Sequence, residues 1–480
     1  MSRSADASSK AAHDARSLRL LPWLVAIAFF MQTLDATILN TALPSMAADL
    51  HESPLRMQSV VTAYLLTVAL FIPLSGWLAD RFGTKRVFLG AIVVFSLGSL
   101  TCAMSRSVPE LVAARVLQGM GGALLLPVGR LAVLRAFPRE QLLRVLAFVT
   151  IPGLVGPLVG PTLGGWLVEV ASWHWIFLIN LPVGLVGALA TLRFMPALRA
   201  VPQRFDGVGF ALFGAGMVTV SLALQGLGEH ALSFAASIVL LFAGLACLAG
   251  YWLHAARTEQ ALFSMALFRI PTFSVGILGN LFARLGSGAM PFLMPLFLQV
   301  GLGYSPSRAG LSMIPTALGA MLSKTFAEPL IRRLGYRRTL VGNTLLLGLM
   351  IASFALAGHG TPHALLLAQL GLFGIVNSLQ FTAMNTLTLG DLEKESASSG
   401  NSLLSVVMQL SMSLGVAAAA AMLAAFGGHL QAQQSPDVVR TFRATFVCVG
   451  MLSALAAFIF AQLREKEGPA PGAASVSGQS

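Results

Sequence analysis

Gly76-Trp77-Leu78-Ala79-Asp80-Arg81-Phe82-Gly83-Thr84-Lys85-Arg86 sets four charged side chains between two apolar runs, Met57 to Ala79 and Val87 to Met104. Each run is close to the roughly 20 residues that a helix needs to cross a hydrocarbon core about 30 Å thick. The charged stretch therefore reads as a short loop at a membrane surface. Its basic part returns 252 residues later as Arg333-Leu334-Gly335-Tyr336-Arg337-Arg338, again after the second apolar run of a block. The repeat predicts two parallel halves with a substrate site between them, an arrangement of membrane transporters. Basic loops between spans also arise from charge bias alone.

The composition agrees with this placement. Of 480 residues only 10% are charged and 56% are hydrophobic, whereas soluble domains carry about 25% charged residues. Windows of about 19 residues give fourteen spans. Six precede a basic linker: Leu20 to Leu43, Met57 to Ala79, Val87 to Met104, Pro109 to Leu134, Leu142 to Val170 and Trp173 to Met195. Two follow it, Gly207 to Gly226 and Leu232 to Leu253. Six more complete the chain: Phe273 to Val300, Ala309 to Ile331, Thr339 to Ala357, Ala364 to Leu387, Ala397 to Phe426 and Thr441 to Leu463. The expected class is an all-α polytopic membrane protein. Its expected parts are an N-terminal tail over 1–19, a six-helix bundle over 20–198, a linker with two extra helices over 199–270, a second six-helix bundle over 271–463 and a disordered tail over 464–480.

With the N-terminus in the cytoplasm, cytoplasmic segments hold 22 of the 31 Lys and Arg residues, and the other face holds Arg56, Arg106, Arg308, Arg440 and Arg443. That bias follows the positive-inside rule and places both termini at the cytoplasmic face of the cell membrane. The net charge of +12 is thus topological, and no nucleic-acid partner is expected. Cys102, Cys247 and Cys448 each lie inside an apolar run, so no disulfide framework or thiolate metal site is indicated. None of the five lysines follows a glycine, which excludes a phosphate-binding Gly-Lys-Ser/Thr loop. The eight histidines are scattered. No enzyme activity, cofactor or metal is expected.

The loop at Gly76 to Arg86, with its half-copy at Arg333, resembles the loop signature of the major facilitator superfamily. Leu34-Asp35-Ala36-Thr37-Ile38-Leu39-Asn40-Thr41-Ala42-Leu43-Pro44 and Trp173-His174-Trp175-Ile176-Phe177-Leu178-Ile179-Asn180-Leu181-Pro182 narrow the resemblance to its fourteen-helix drug/proton antiporters. The resemblance covers roughly Leu20 to Leu463, and it implies two six-helix bundles, proton coupling and small-molecule export. In the second copy Arg332 stands where the first has Asp80, so the acidic half of that signature is missing and the second gate is expected to use other contacts. The loop residues Gly76, Asp80, Arg81, Gly83, Arg86, Arg333, Gly335 and Arg338 are assigned to gating.

Asp35 lies twelve residues after Trp23, about 18 Å along a helix and so near the bilayer midplane. A carboxylate there is costly unless paired, hydrated or protonated, and ionisable groups at such depth are functional by default. It is expected to carry the coupling proton; the alternative is a fixed carboxylate orienting Asn40 or Thr37. Arg115, in Arg115-Val116-Leu117-Gln118-Gly119-Met120-Gly121-Gly122, resembles the family's basic fourth-helix motif, which implies assistance in proton transfer. A structural ion pair, with the glycines serving helix packing, is the plainer reading.

Arg284 lies eleven residues past Phe273, about 17 Å into its span, where it either pairs with Asp35 or receives an anionic substrate. Lys324 and Glu328, four apart on one helix face, are expected to form a local ion pair. Gln32, Asn377, Gln380, Asn401 and Gln409 are further candidates for the substrate cavity, since polar stripes within a membrane must face protein or water. The neighbouring Met408 and Met412 are either adaptable ligand contacts or core filler. In the fifth span Gly156, Gly160 and Gly164 share one face, with Pro157 and Pro161 beside it; the stretch resembles the antiporter signature, and packing alone would also produce it.

The leading expectation is a proton-coupled exporter of small amphipathic compounds that acts as a monomer, with a small-molecule substrate, protons and membrane lipid as its partners. An exporter of organic anions such as carboxylates or their metal chelates is the second. A non-transporting sensor or assembly subunit is the third, and it would be expected to carry an appended signalling domain.

Overall fold

A computed structural model describes residues 2–200, 204–229, 233–258, 261–432 and 438–464. Leu232 and the expected tail beyond Arg464 lie outside the described residues. In chain order the first helices are α1 (Ser2–Asp49), α2 (Gln58–Phe71), α3 (Leu74–Phe82), α4 (Thr84–Met104), α5 (Val108–Ala136), α6 (Arg139–Val170), α7 (Trp175–Leu178) and α8 (Asn180–Phe194). Next come α9 (Gly207–Glu229) and α10 (Phe234–Ala255). The last are α11 (Pro271–Leu296), α12 (Pro306–Ser312), α13 (Ile314–Ser353), α14 (His363–Gly390), α15 (Lys394–Ala432), α16 (Val438–Leu455) and α17 (Ala457–Phe460). Long apolar runs become helices because lipid offers no partner for an unpaired backbone N–H or C=O. Polar residues open several of them: the Ser107 hydroxyl caps α5 by accepting from the Glu110 N–H, and Ser305 caps α12 by accepting from the Arg308 N–H.

Among the described residues thirteen segments are long and apolar enough to cross a bilayer. One of them, Pro306–Leu356, has 51 residues, about 75 Å of helix against a core about 30 Å thick. It is broken at Gly335, where φ is 78° and ψ is 161°, so it contains two crossings and the total is fourteen. Gly83, the matching glycine of the first loop copy, has φ 88° and ψ 146° and joins α3 to α4 directly. Only glycine enters that backbone region readily. The sequence repeat is thus a repeat of backbone geometry. The polar start of the chain continues α1 outward from its apolar part, which begins at Leu18.

In the N-terminal bundle α1 packs along α6 and α4 along α5; in the C-terminal bundle α11 packs along α15, and α13 along α14 and α16. The two inserted helices form a hairpin. α9 lies against α2 of one bundle and α15 of the other, while α10 packs on α9 and exposes Phe234, Val239 and Phe242. The Gln225 amide donates to Thr62 Oγ1 on α2 at 3.0 Å. At the other end of the hairpin Asp206 accepts from the N–H groups of Gly209 and Leu262, at 2.8 and 3.0 Å, and pairs with His254 Nε2 at 2.8 Å. Burial pushes the Asp206 carboxyl upward, but these hydrogen bonds outweigh it and hold the group below the usual aspartate range.

Candidate functional site in the bundle interiors

Asp35 and Arg115 are each 1% exposed and meet in the middle of the N-terminal bundle. Arg115 Nη1 donates to Asp35 Oδ2 at 2.7 Å. Asp35 Oδ1 accepts from Gln118 Nε2 at 2.8 Å and from Asn180 Nδ2 at 3.0 Å. Both amides also donate to Ser99 Oγ, at 2.7 and 3.2 Å. The carboxylate therefore gathers donors from two other helices, and Ser99 ties in a fourth. The Arg115 guanidinium rests on the Tyr64 ring, with Cζ 4.1 Å from the centroid, a favourable place for a cation. Glycines make this approach possible. A methyl group on Gly98 would strike the Gln118 backbone, and one on Gly121 would strike α4 at Phe95.

The arrangement couples charge to position. A guanidinium stays protonated in proteins, so a proton delivered to Asp35 would leave Arg115 as a buried cation without its counter-ion. Removing one partner of a buried pair costs about 3–5 kcal/mol. Asp35 does not orient its neighbours on α1: Asn40 Nδ2 donates to the Ala36 carbonyl, and Thr37 Oγ1 to the carbonyls of Thr33 and Gly156.

Arg284, on α11 of the other bundle, is 8% exposed. The expected alternative of an Asp35–Arg284 pair is not formed, because Asp35 is satisfied within its own bundle. Arg284 Nε donates to Asn280 Oδ1 at 3.0 Å, and the guanidinium lies over Phe381 with Cζ 4.5 Å from the centroid. Its Nη2 is buried and has no hydrogen-bond partner among the described residues. Gln32, one turn before Asp35, also leaves its buried carbonyl oxygen unpartnered. Gln380 is committed to a structural contact: it accepts from Asn343 Nδ2 at 2.8 Å and donates to Thr344 Oγ1 at 2.7 Å, tying α14 to α13. Asn377 and Gln409 are half-buried and Asn401 is exposed. Met412 packs against α11 at Gly288. Lys324 and Glu328 are both exposed, and they form no ion pair among the described residues.

The loop residues gather at the basic face. Asp80 pairs with Arg135 at the end of α5. Arg81 is exposed and its guanidinium approaches Trp77 and Phe82. Gly76 has open space where a side chain would go, whereas a methyl group on Gly83 would press on Arg199, 3.1 Å from its Cγ. Thr84 N–H donates to the Leu198 carbonyl at 3.0 Å, and Lys85 Nζ to the Leu192 carbonyl at 2.7 Å. Arg86, Arg333 and Arg338 are exposed. The expected gating loop is thus fastened, in this conformation, to other parts of its own bundle.

Contacts between the bundles lie at the opposite face. Gly156, Gly160 and Gly164 of α6 face α1, where methyl groups would collide with Thr33, Thr37 and the Ile38 carbonyl. Thr41 Oγ1 donates to the Pro161 carbonyl at 3.1 Å. The next stripe makes the seam. A side chain on Gly165 would strike the Pro306 carbonyl of α12, and one on Gly310 would strike the Pro161 carbonyl of α6. Glu169 accepts from the N–H and hydroxyl of Ser307 at 2.9 and 2.6 Å, and Gln299 Nε2 donates to the Thr41 carbonyl at 2.9 Å.

Sequence reasoning did not single out Ser99, Gln118, Asn180, Arg135, Gly165 or Gly310. Gln118 and Asn180 stood inside motifs already quoted, so their position next to Arg115 and at the start of a span was the available signal. Nothing in the sequence pointed to Arg135 or to the glycine pair across the seam.

The sequence matches the Major Facilitator Superfamily over residues 25–279 and 276–479. It is 53% identical over 441 residues to the "Putative multidrug resistance protein MdtD" of Serratia proteamaculans, covering 92% of each chain. It is 52% identical over 446 residues to the protein of the same name from Yersinia enterocolitica, covering 92% of this chain and 94% of that one. Among solved structures an auto-inhibited POT family peptide transporter aligns with a TM-score of 0.69 at 16% identity, over 95% of this chain and 99% of that one. A bacterial homologue of the human lysosomal transporter Spinster, in an inward-facing and unoccupied conformation, aligns with a TM-score of 0.65 at 16% identity, over 92% and 96%. These two share the fold. With its repeated glycine loop, its two six-helix bundles and the helix pair inserted between them, this chain belongs to the major facilitator superfamily.

Proposed function

We propose that the protein is a proton-coupled exporter of small amphipathic compounds, working by alternating access across the cytoplasmic membrane with both termini in the cytoplasm. The observation that carries this reading is the Asp35–Arg115 pair, buried and held by the amides of Gln118 and Asn180. In the resting state Asp35 is the partner of Arg115. When it takes a proton, Arg115 must find another partner or water, and the helices that hold them shift. Contacts joining α6 to α12 close the face opposite the basic loops, which leaves the basic face as the side open to cargo in this conformation. The resemblance to proteins named for multidrug resistance supports amphipathic cargo. The transporter works as a monomer in this reading.

A second reading has its own observation. Arg284 has no counter-ion, and its buried Nη2 has no hydrogen-bond partner, among the described residues, so an organic anion is a cargo that would satisfy it. One experiment addresses both: pH-gradient dissipation in inside-out vesicles, with cationic, neutral and anionic compounds added in turn to wild type, Asp35→Asn and Arg284→Ala. Substrate-triggered proton release that disappears in Asp35→Asn is the expected result; an unchanged signal in that variant overturns the coupling role. Loss of response to anions alone in Arg284→Ala selects the second reading.

A further inference from the structure

A cavity of 380 Å³ lies inside the N-terminal bundle, between α1, α4 and α8. Leu24 and Met31 wall it from α1, Phe88 and Ile92 from α4, and Val183 and Gly187 from α8. Every lining side chain is apolar. Two of the lining residues, Ile27 and Val186, are 41% and 64% exposed, so the cavity opens on the surface that faces lipid. The space exists because α8 is glycine-rich there. A methyl group on Gly184 would collide with Ser96, while one on Gly187 would meet only Ile92, at 3.7 Å from Cδ1.

The same three helices carry cations where they reach the basic face. Arg19 precedes Leu24 by five residues, Arg86 precedes Phe88 by two, and Arg193 follows Ala190 by three, so their Cα atoms lie roughly 3–8 Å beyond the lining residues along each helix axis. All three are exposed. None forms an ion pair among the described residues. Lys85, between them, is occupied by the Leu192 carbonyl. An apolar slot open to lipid, with an exposed arginine near the basic-face end of each of its three wall helices, matches a molecule with an alkyl chain and an anionic head at the membrane surface. Basic pockets between helices on the cytoplasmic side hold such headgroups.

We propose that this is a binding site for an anionic glycerophospholipid, with one acyl chain in the cavity and the headgroup phosphate among Arg19, Arg86 and Arg193. The inner end of the cavity adjoins the buried network: Met31 lies one turn before Asp35, and Pro182 two residues after Asn180. A chain seated there excludes water from that side of the Asp35 carboxylate. The proposal does not depend on what the protein transports.

The test uses the full-length protein in phosphatidylcholine vesicles doped with phosphatidylglycerol bearing a diazirine on one acyl chain, followed by peptide mapping after illumination. Labelling should fall on the α1, α4 and α8 segments that wall the cavity, and unlabelled phosphatidylglycerol should compete for it far better than phosphatidylcholine. Each arginine contributes about fivefold, so Arg19→Gln/Arg193→Gln should lower labelling roughly 25-fold. Gly187→Leu, which fills the slot, should abolish it, and Gly187→Ala should preserve it. If Gly187→Leu does not fold, Ile92→Phe fills the same space from α4 and must give the same loss. Equal competition by the zwitterionic lipid, labelling spread evenly over lipid-facing helices, or unchanged labelling in the filled variant would each overturn the proposal. Competition by glycerol 3-phosphate as strong as that by the whole lipid would show a headgroup site for free phosphate esters and overturn the acyl-chain assignment.

Discussion

The two bundles each bury an arginine near the membrane midplane, and they treat it differently. Arg115 has a carboxylate, a neighbouring amide and an aromatic face. Arg284 has one amide oxygen and an aromatic face. Each leaves one buried nitrogen without a partner among the described residues, Nε of Arg115 and Nη2 of Arg284, but only Arg115 has a counter-ion. A buried guanidinium without a counter-ion is the one that an anion arriving from outside would satisfy. The contrast assigns the N-terminal bundle to the proton and the C-terminal bundle to the cargo in the reading proposed above.

The largest expected effect tests the side with the ion pair. Arg115→Met leaves Asp35 buried without its counter-ion and should cost about 3–5 kcal/mol, seen as a lowered unfolding temperature of the purified protein. Adding Asp35→Asn should restore most of it; if the double variant is as unstable as the single one, the pair is not the unit described. Arg284→Met removes a cation that has no counter-ion, and its stability should stay level or rise by about 1 kcal/mol. A loss as large as that of Arg115→Met would erase the contrast between the bundles.

The paired glycines of the repeated loop give a smaller effect. Gly83→Ala and Gly335→Ala each force a side-chain-bearing residue into a backbone region that costs about 1–3 kcal/mol. Gly83→Ala should be the more harmful, because Arg199 crowds that position whereas space is open at Gly335. Thermal unfolding of the two variants side by side measures the difference. At the seam, Gly310→Val should wedge α12 from α6 and raise maleimide labelling of Thr162→Cys from the opposite face, in a background with Cys102, Cys247 and Cys448 replaced by Ser.

The smallest effect is at the inserted hairpin. The Asp206 carboxyl is held below its ordinary range, so its contribution is present above the unfolded-state pKa of about 3.9 and is lost as pH falls through the lower folded value. The stability difference between wild type and Asp206→Asn should shrink as pH falls below about 4. A difference that grows below that pH would contradict the sign.

The spans were legible because lipid imposes length and apolarity on every crossing, and no competing rule acts over 20 residues. The turn at Gly335 was legible for a different reason: its repeat at Gly83 marked a glycine where one was needed. The partners of Asp35 were not legible. They come from α5 and α8, between 80 and 145 residues away along the chain, and no local spacing encodes which buried amide will meet which carboxylate. The same limit applies to Asp80, whose partner Arg135 is 55 residues on. Lys324 and Glu328 show the converse: spacing that permits a pair on one helix does not compel it, since exposed ions are nearly as well served by water.

The inserted hairpin makes the two flanks of the molecule unequal. α9 packs on both α15 and α2; it hydrogen-bonds to α2 through Gln225 and Thr62, and Phe210, with Phe205 just before the helix, meets Phe71 and Trp77 of the N-terminal bundle edge-on and tilted. In the alternating-access reading proposed above, α9 cannot follow both bundles, so one of its two interfaces has to slip. On that flank the α2–α15 boundary has the hairpin laid against it. Among the described residues no such cover stands on the α6–α12 flank, so in that reading the two flanks of the moving boundary meet the bilayer unequally.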